Sequence, residues 1–311
     1  MKQHLILGTR GSELALAQTR LAIEAISRSC PGFSCEVRKI HTAGDARTDL
    51  PLNRVNAATN TADKGVFIAA IEEALAAGEI DCAVHSLKDM PGTLDQRFEI
   101  AAVLPREVIA DTLVLKPGAD VRHLVIGTGS VRRARFAEAY WGGSARCVPI
   151  RGNVHTRLRK LAESSEMTAT LLARAGLNRL GMTGSCLEVE GQRFCTVDLS
   201  PDAFMPALGQ GAVALEIRKG DEEARRLVAP ANDEETACCV AAERAFLDAL
   251  KADCSVPVGG YAALMKKTLV LRALYFTESG QPIRLTQRGP ADKPQQVGLD
   301  AWKQLQDKLS D

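Results

Sequence analysis

The stretch Asp81-Cys82-Ala83-Val84-His85-Ser86-Leu87-Lys88-Asp89-Met90-Pro91 decides the fold class. Asp81–His85 is a short, buried apolar strand. It ends by delivering His, Ser, Lys and Asp in a few residues, and Pro91 closes the turn. Upstream, Gly65–Ala77 has helical spacing and stops at Gly78. Further upstream, His4–Gly8 reads as a strand. Ser12 can cap the helix that follows, where Leu14, Ala17, Leu21 and Ala25 recur. Cys35–His41 alternates as a second strand. Strand–helix alternation of this kind predicts a parallel α/β sheet, and such sheets bind ligands beyond the carboxyl ends of their strands. Taken alone, the Asp81–Pro91 loop reads best as an ordinary polar connection, and His85 as a satisfied structural histidine.

A second alternation begins near Asp111. Thr112–Lys116, Leu124–Gly127, Ala145–Ile150 and Thr168–Ala173 read as strands, with helices starting at Ser130 and Asn153 and a short one ending at Gly181. Pro206-Ala207-Leu208-Gly209-Gln210-Gly211 then leads into the apolar run Ala212–Ile217. Two α/β lobes follow, with crossings near Pro105 and Pro206. After Gly211 the chain either stays in the second lobe or returns to the first. Glu234–Lys251 is a helix, followed by three strand-like runs and a polar helix, Leu299–Lys308. That pattern is a small α+β domain. Thr42–Asp63 is polar and reads as a long loop of the kind that forms lids or binding segments.

The 311 residues carry a net charge of +1, with 46% hydrophobic and 25% charged residues. That balance excludes wholesale disorder and a coiled coil. The average conceals a local excess. Gly127–Gly181 holds nine Arg and Lys160 against Glu138, Glu163 and Glu166, a net +7. Within it, Gly127-Thr128-Gly129-Ser130-Val131-Arg132-Arg133 is a strand end opening a helix. Ile150-Arg151-Gly152-Asn153-Val154-His155-Thr156-Arg157 repeats the design. Helix N-termini attract anions, and the arginine fork matches carboxylate or phosphate. A solvated basic face fits Arg159 and Lys160 better. Nucleic acid is disfavoured, because aromatics make up 4% and only Phe136, Tyr140 and Trp141 interleave with these arginines. A small polyanion in a cleft is the expected ligand.

Nine cysteines is an odd count for a disulfide framework, a reducing cytosol would keep them as thiols, and none form C-x-x-C. Cys30, Cys35, Cys82, Cys147, Cys186 and Cys195 are expected as small buried hydrophobes. No metal site is expected. Cys254, in the turn Asp253–Gly260, is placed unlike the others and reads as either an exposed nucleophile or an incidental thiol. No signal peptide or membrane span is apparent, so a cytoplasmic location is expected.

Together these motifs resemble the porphobilinogen deaminase family. The resemblance rests on Gly8-Thr9-Arg10-Gly11-Ser12-x-Leu14-Ala15, Lys64-Gly65-Val66-Phe67 and Asp81-x-x-Val84-His85-Ser86-x-Lys88-Asp89-x-Pro91. It continues through the two arginine turns, Ala175-Gly176-Leu177-x-Arg179-Leu180 and Pro206-Ala207-x-Gly209-Gln210-Gly211. It ends with Ala242-Glu243-Arg244-Ala245-Phe246-Leu247 and Cys254-x-x-Pro257-x-Gly259. The resemblance implies two lobes like type II periplasmic binding proteins plus a C-terminal α+β domain. The expected divisions are 1–104 with 205–225, 105–204, and 226–311.

The implied activity joins four porphobilinogen molecules head to tail with loss of ammonia, then releases hydroxymethylbilane by hydrolysis. The implied cofactor is dipyrromethane, held by a thioether to Cys254. Asp89 matches the catalytic carboxylate. Ser12, Lys88, Thr128, Ser130, Arg132, Arg133 and Gly152 match cofactor-contacting positions. Arg10, Arg151, Arg157 and Arg179 match substrate-contacting ones, and Lys64 and Phe67 lie on an active-site loop. A monomer without nucleic-acid or membrane partners is expected. The rival reading is a non-catalytic small-anion binder on the same scaffold.

Three departures from the family pattern stand out. The Asn53–Lys64 segment is longer and lacks its usual glycines. Gly129 stands where Ser is common, and Ala252-Asp253 precede Cys254 where two glycines are common. Slower cofactor attachment is the expectation from the last of these, since Asp253 disfavours a neighbouring thiolate.

Overall fold

Strands β1 (His4–Arg10), β2 (Ser34–Ile40), β3 (Cys82–Ser86), β4 (Phe98–Val103) and β11 (Val213–Arg218) make the first sheet, in the order β2-β1-β3-β11-β4. The computed structural model describes residues 3–40, 68–251 and 256–310. β1 runs parallel to β2 and β3, but β11 is antiparallel to β3 and β4. The all-parallel expectation is therefore corrected: the sheet is mixed. The reason lies in the crossings. β3 ends at Ser86, and β11 starts opposite it, with Val213 facing Ser86. A chain returning to the first sheet enters at the ligand-binding end and must run away from it. The open question after Gly211 is thus answered in favour of a return.

The second sheet has the order β7-β6-β8-β5-β10-β9. Its members are β5 (Asp111–Leu115), β6 (Leu124–Gly127), β7 (Ala145–Val148), β8 (Ala169–Ala173), β9 (Cys186–Val189) and β10 (Gln192–Asp198). β6 is parallel to β7 and β8. β5 is antiparallel to β8, because it too enters at the cleft end, Asp111 facing Ala173. Sequence periodicity missed β4, a short run of five apolar residues and Glu99, and the β9–β10 hairpin, where polar and apolar residues are mixed.

Helix α1 (Glu13–Ser29) packs on the first sheet, capped by Ser12, whose Oγ accepts from Ala15 N at 3.3 Å. Its buried face is Ala15, Thr19, Ala22 and Ile26 with Gln18. Of the expected stripe, Ala17 and Ala25 are buried and Leu14 is half-buried, but Leu21 is 39% exposed. Ala22 and Ile26 join Leu5, Leu7, Val84, Leu215 and Ile217 in one core. Helix α2 (Ala69–Ala76) precedes β3. Gly78, at φ +73°, ends that turn, a left-handed conformation that glycine adopts without Cβ strain. Helices α3 (Val131–Trp141), α4 (Val154–Glu163) and α5 (Arg174–Arg179) belong to the second lobe, and α6 (Glu222–Val228) follows β11.

The C-terminal unit is an antiparallel sheet of β12 (Val258–Met265), β13 (Thr268–Phe276) and β14 (Pro282–Pro290). Helices α7 (Glu234–Leu250) and α8 (Pro294–Ser310) contribute Phe246, Val297, Ala301 and Leu305 to the core it shares with Leu269 and Leu271. One tie to the lobes is Glu243, which is fully buried. That carboxylate takes Arg106 through Nη1 and Nη2 at 2.5 and 3.0 Å, Gly209 N at 2.6 Å and Ala262 N at 2.7 Å. Four donors on one carboxylate satisfy a buried charge that would otherwise be costly.

The cysteine expectation holds in part. Cys82 is buried and Cys30, Cys35 and Cys147 are half-buried, but Cys186 and Cys195 are exposed. The correction has a simple cause: both fall on the solvent-facing side of a hairpin whose other face, with Leu187, Val189 and Phe194, is the buried one.

Candidate active site

Cys82, Ala83 and Val84 are buried in the first sheet, and the short turn Leu87–Asp89 follows at its end. Leu87 and Met90 are buried on either side and fix the turn, which leaves Lys88 half-buried and Asp89 exposed. Leu87 N donates to Ala212 O at 3.1 Å. Gly209 presses on the same turn at φ +76°, where a Cβ would lie 2.3 Å from Leu87 Cδ2. Asp89 is exposed. Lys88 Nζ donates to Gln210 Oε1 at 3.2 Å. Burial, aided by repulsion from Arg133, lowers the Lys88 ammonium to about 8 against the attraction of Asp89 and Asp111. His85 is structural: buried, its Nε2 lies 3.1 Å from Glu216 Oε2. Gln18 Nε2 donates to Ser86 Oγ at 2.7 Å and holds the end of β3.

At the end of β6, Ser130 caps α3 by accepting from Arg133 N at 3.3 Å, and Thr128 Oγ1 accepts from Ser130 N at 3.2 Å. Arg132 and Arg133 turn inward and are buried. Arg132 Nη2 reaches Asp111 Oδ2 at 2.7 Å, and Nη1 reaches Met205 O at 2.6 Å. Arg133 Nη2 reaches Asp111 Oδ1 at 2.7 Å, and Nη1 reaches Leu171 O at 2.9 Å. Burial alone would raise the Asp111 carboxyl. The two guanidiniums override it and hold the group well below the usual carboxylate range. Asp111 is thus a central residue that sequence reasoning missed. Its only signal was position, as the first residue of the second alternation.

At the next strand end, Asn153 caps α4 by accepting from Thr156 N at 2.8 Å. Gly152 sits at φ +124°, and a Cβ there would meet Thr156 Cγ2 at 2.6 Å. Arg157 Nε donates to Gly152 O at 2.7 Å. Burial, then repulsion from Arg133, Arg151 and Arg10, lowers Arg157 to about 10 against the attraction of Asp89. Arg10, at the end of β1, and Asp89, after β3, are thus within electrostatic reach of Arg157 in the second lobe. The two lobes also touch where His155 Nδ1 lies 2.8 Å from Glu13 Oε2. Arg179 donates to Gly211 O at 2.5 Å and so grips the returning crossover.

The +7 stretch divides accordingly. Arg135 pairs with Glu138, Arg146 with Glu166, and Arg174 with Asp198, while Arg159 is exposed. Only part of the basic excess reaches the cleft, chiefly Arg151 and Arg157, joined by Arg10 and Lys88 from the first lobe. Cys254, Lys64 and Phe67, the altered Asn53–Lys64 segment and Ala252-Asp253 lie outside the described residues. Among the described residues, no group of three or more His, Cys, Asp and Glu could hold a metal. No helix among them is long and apolar enough to cross a membrane.

Residues 5–226 match the family model "Porphobilinogen deaminase, dipyromethane cofactor binding domain", and residues 237–307 match "Porphobilinogen deaminase, C-terminal domain". The chain belongs to the porphobilinogen deaminase family. It is 41% identical to the porphobilinogen deaminase of Roseiflexus sp. (strain RS-1) over 99% of this chain and 97% of that relative. It is 40% identical to the porphobilinogen deaminase of Geobacillus kaustophilus (strain HTA426), over 96% and 93% respectively. The second substrate-binding domain of GlnP from Lactococcus lactis, in an open conformation, is similar at a TM-score of 0.41 and 12% identity, over 74% of this chain and 88% of that one. The last likeness is loose, and the strand order above describes the fold without it.

Membership in the porphobilinogen deaminase family makes this chain a transferase of porphyrin biosynthesis, with porphobilinogen as substrate and dipyrromethane as cofactor. The cleft fits that group. Dipyrromethane made from porphobilinogen carries several carboxylates. Arg157 is lowered first by burial and then by repulsion from Arg133, Arg151 and Arg10, against the attraction of Asp89, and a bound polycarboxylate would relieve that repulsion.

Proposed function

We propose that the groove between the cleft ends of the two sheets holds dipyrromethane and the growing chain, and that Asp89 is its catalytic carboxylate. The observation that carries this reading is the setting of Arg157, which feels Arg133, Arg151 and Arg10 as repulsion and Asp89 as attraction. One exposed carboxylate stands among basic groups supplied by both lobes.

When bound, dipyrromethane supplies the primer carbon on which porphobilinogen units add. Arg10, Arg151 and Arg157 bind and orient acetate and propionate side chains through charge-assisted hydrogen bonds. Lys88 adds a cation whose charge is adjustable near pH 8. Ser12, Thr128, Ser130 and Gly152 shape the turns at the helix starts, and Arg179 positions the crossover. Arg132 and Arg133 act chiefly through Asp111, setting the field of the cleft wall from beneath. Loss of ammonia from porphobilinogen puts positive charge on a pyrrole nitrogen. Asp89 faces that charge and can take and return its proton. In this reading Cys254 carries the thioether, and Lys64 and Phe67 belong to the active-site loop. The proposed divisions are 1–104 with 205–225, 105–204 and 226–311. A cytoplasmic monomer without nucleic-acid partners completes it.

The test pairs two measurements on purified protein. Ammonia release from porphobilinogen is expected from the native chain and lost in Asp89→Ala. Intact mass is expected to show a dipyrromethane adduct that Cys254→Ser lacks. Ammonia release by Asp89→Ala at the native rate would remove the carboxylate from the chemistry. An adduct retained in Cys254→Ser would move the attachment point.

A further inference from the structure

The β9–β10 hairpin carries two cysteines, Cys186 and Cys195, that lie directly opposite each other in register. Its turn, Glu190-Gly191, has both residues at positive φ, 51° and 75°. That is the two-residue type I′ geometry, which closes on a hydrogen-bonded pair, here Val189 and Gln192. Hydrogen-bonded and non-hydrogen-bonded pairs alternate along an antiparallel ladder. Counting from the turn, Glu188 with Arg193 is non-hydrogen-bonded and Leu187 with Phe194 hydrogen-bonded, so Cys186 with Cys195 is non-hydrogen-bonded.

A second route gives the same answer. Thr196 N donates to Ser185 O at 2.8 Å, so the next pair beyond the cysteines is hydrogen-bonded. Side chains of non-hydrogen-bonded pairs stand close, with Cα atoms about 4.5 Å apart. A disulfide spans Cα separations of roughly 4.4–6.8 Å. The neighbouring pair of the same class and face shows this proximity directly, with Arg193 Nε 3.7 Å from Glu188 Oε2. Both cysteines are free and exposed. Cys35 and Cys147 also sit on strands, but they face Leu5 and Ile126.

We propose that Cys186 and Cys195 form a reversible dithiol modification site that a low-molecular-mass disulfide closes into a cross-strand bond. One cysteine thiolate attacks a sulfur of the small disulfide and expels one small thiolate. The other cysteine then attacks the mixed disulfide and expels the second. Two protein thiols lose two protons and two electrons, and the small disulfide becomes two thiols. The bond ties β9, the edge strand of the second sheet, to its neighbour. It restrains a hairpin that carries none of the proposed site residues, so turnover is unchanged while local opening of the edge is suppressed.

The experiment uses the full chain with its cofactor attached. Protein is equilibrated with oxidised glutathione, alkylated, digested without reduction and mapped by mass spectrometry. A peptide joining Cys186 to Cys195 is expected, together with a thermal midpoint above that of Cys186→Ser treated identically. Dithiothreitol is expected to reverse both. In Cys186→Ser, Cys195 is expected to hold glutathione as a mixed disulfide, since its resolving partner is gone. Recovery of Cys186 and Cys195 both alkylated, or each stably glutathionylated in the native chain, would overturn the proposal.

Discussion

Gln210 donates its Nε2–H to Asp111 Oδ1 at 3.1 Å. Ionised Asp111 is an acceptor only, so this bond fixes which way the amide points. The same amide donates to Ile109 O at 2.7 Å, leaving Oε1 to take the Lys88 ammonium. A single side chain therefore relays between the arginine-clamped carboxylate of the second lobe and the lysine of the first. Gln210→Leu is expected to leave Lys88 without this acceptor and Asp111 with one donor fewer. The cost is about 1–3 kcal/mol, read by urea unfolding, with the Lys88 titration moved below its native position. An unmoved titration would detach Gln210 from Lys88.

Lys88 itself predicts a pH dependence. Its ammonium titrates at about 8 in the fold against the ordinary 10.5. Between those values the unfolded chain binds more protons, so this group adds stability as pH rises from about 8 towards 10.5. Cleft charge changes in the opposite sense, since the cation is lost as pH passes about 8. Affinity for an added dicarboxylate is expected to weaken above that pH in the native chain. Lys88→Arg keeps its charge there and is expected to flatten that limb. Parallel limbs for the two proteins would assign the weakening elsewhere.

Asp111→Asn tests the clamp on Arg132 and Arg133. Removing one partner of a buried ionic cluster strands the remaining charges, at a cost of about 3–5 kcal/mol. The sign with pH follows from the depressed carboxyl. Its contribution is complete above the ordinary value of 3.8 and fades as pH falls below it towards the folded value. Chemical denaturation at neutral pH is expected to show the loss, and the gap between variant and native chain is expected to narrow in strong acid. A gap that stays constant to low pH would mean that Asp111 carries no linked charge.

Much of this was legible beforehand because strand ends and helix caps are local events. Ser12, Ser130 and Asn153 cap as their types and positions predict, and Asp89 follows its strand as the alternation requires. What escaped was non-local. Asp111 meets Arg132 and Arg133 only because β5 enters its sheet antiparallel to β8. Glu243 gathers Arg106, Gly209 and Ala262 from separate segments. The same pairing explains why a count of +7 overstated the cleft: Asp111 and Asp198 neutralise arginines from outside the counted stretch. The outward turn of Cys186 and Cys195 likewise depended on which face of a hairpin is covered.

Asp89→Ala separates chemistry from folding. Asp89 is exposed, so its loss is expected to change stability by no more than about 0.5 kcal/mol. Turnover of porphobilinogen is expected to fall by at least about 10²–10⁴-fold, the usual range for a lost proton-transfer group. Asp89 also raises Lys88 and Arg157, so the variant is expected to titrate Lys88 lower than the native chain. Stopped assays for ammonia beside thermal melts read both effects. A large drop in melting temperature would recast Asp89 as structural.

Gly129 gives the departure from the family pattern a physical reason. A Cβ at this position would lie 2.9 Å from Ile150 O. The two arginine-bearing turns, Thr128–Ser130 and Ile150–Asn153, therefore approach closely because one of them has no side chain there. Restoring serine by Gly129→Ser regains a hydroxyl donor but forces a backbone carbonyl to move. The move spreads to Arg151, the next residue after Ile150. Overpacking of this kind costs about 1–3 kcal/mol, so the variant is expected to melt lower and to bind porphobilinogen-derived carboxylates less well despite the added donor. Gly129→Ala is expected to reproduce the stability loss without the hydroxyl, which separates crowding from hydrogen bonding. If Gly129→Ser and Gly129→Ala both melt at the native temperature, a Cβ is accommodated without cost, and close approach of the two turns is not what glycine secures here.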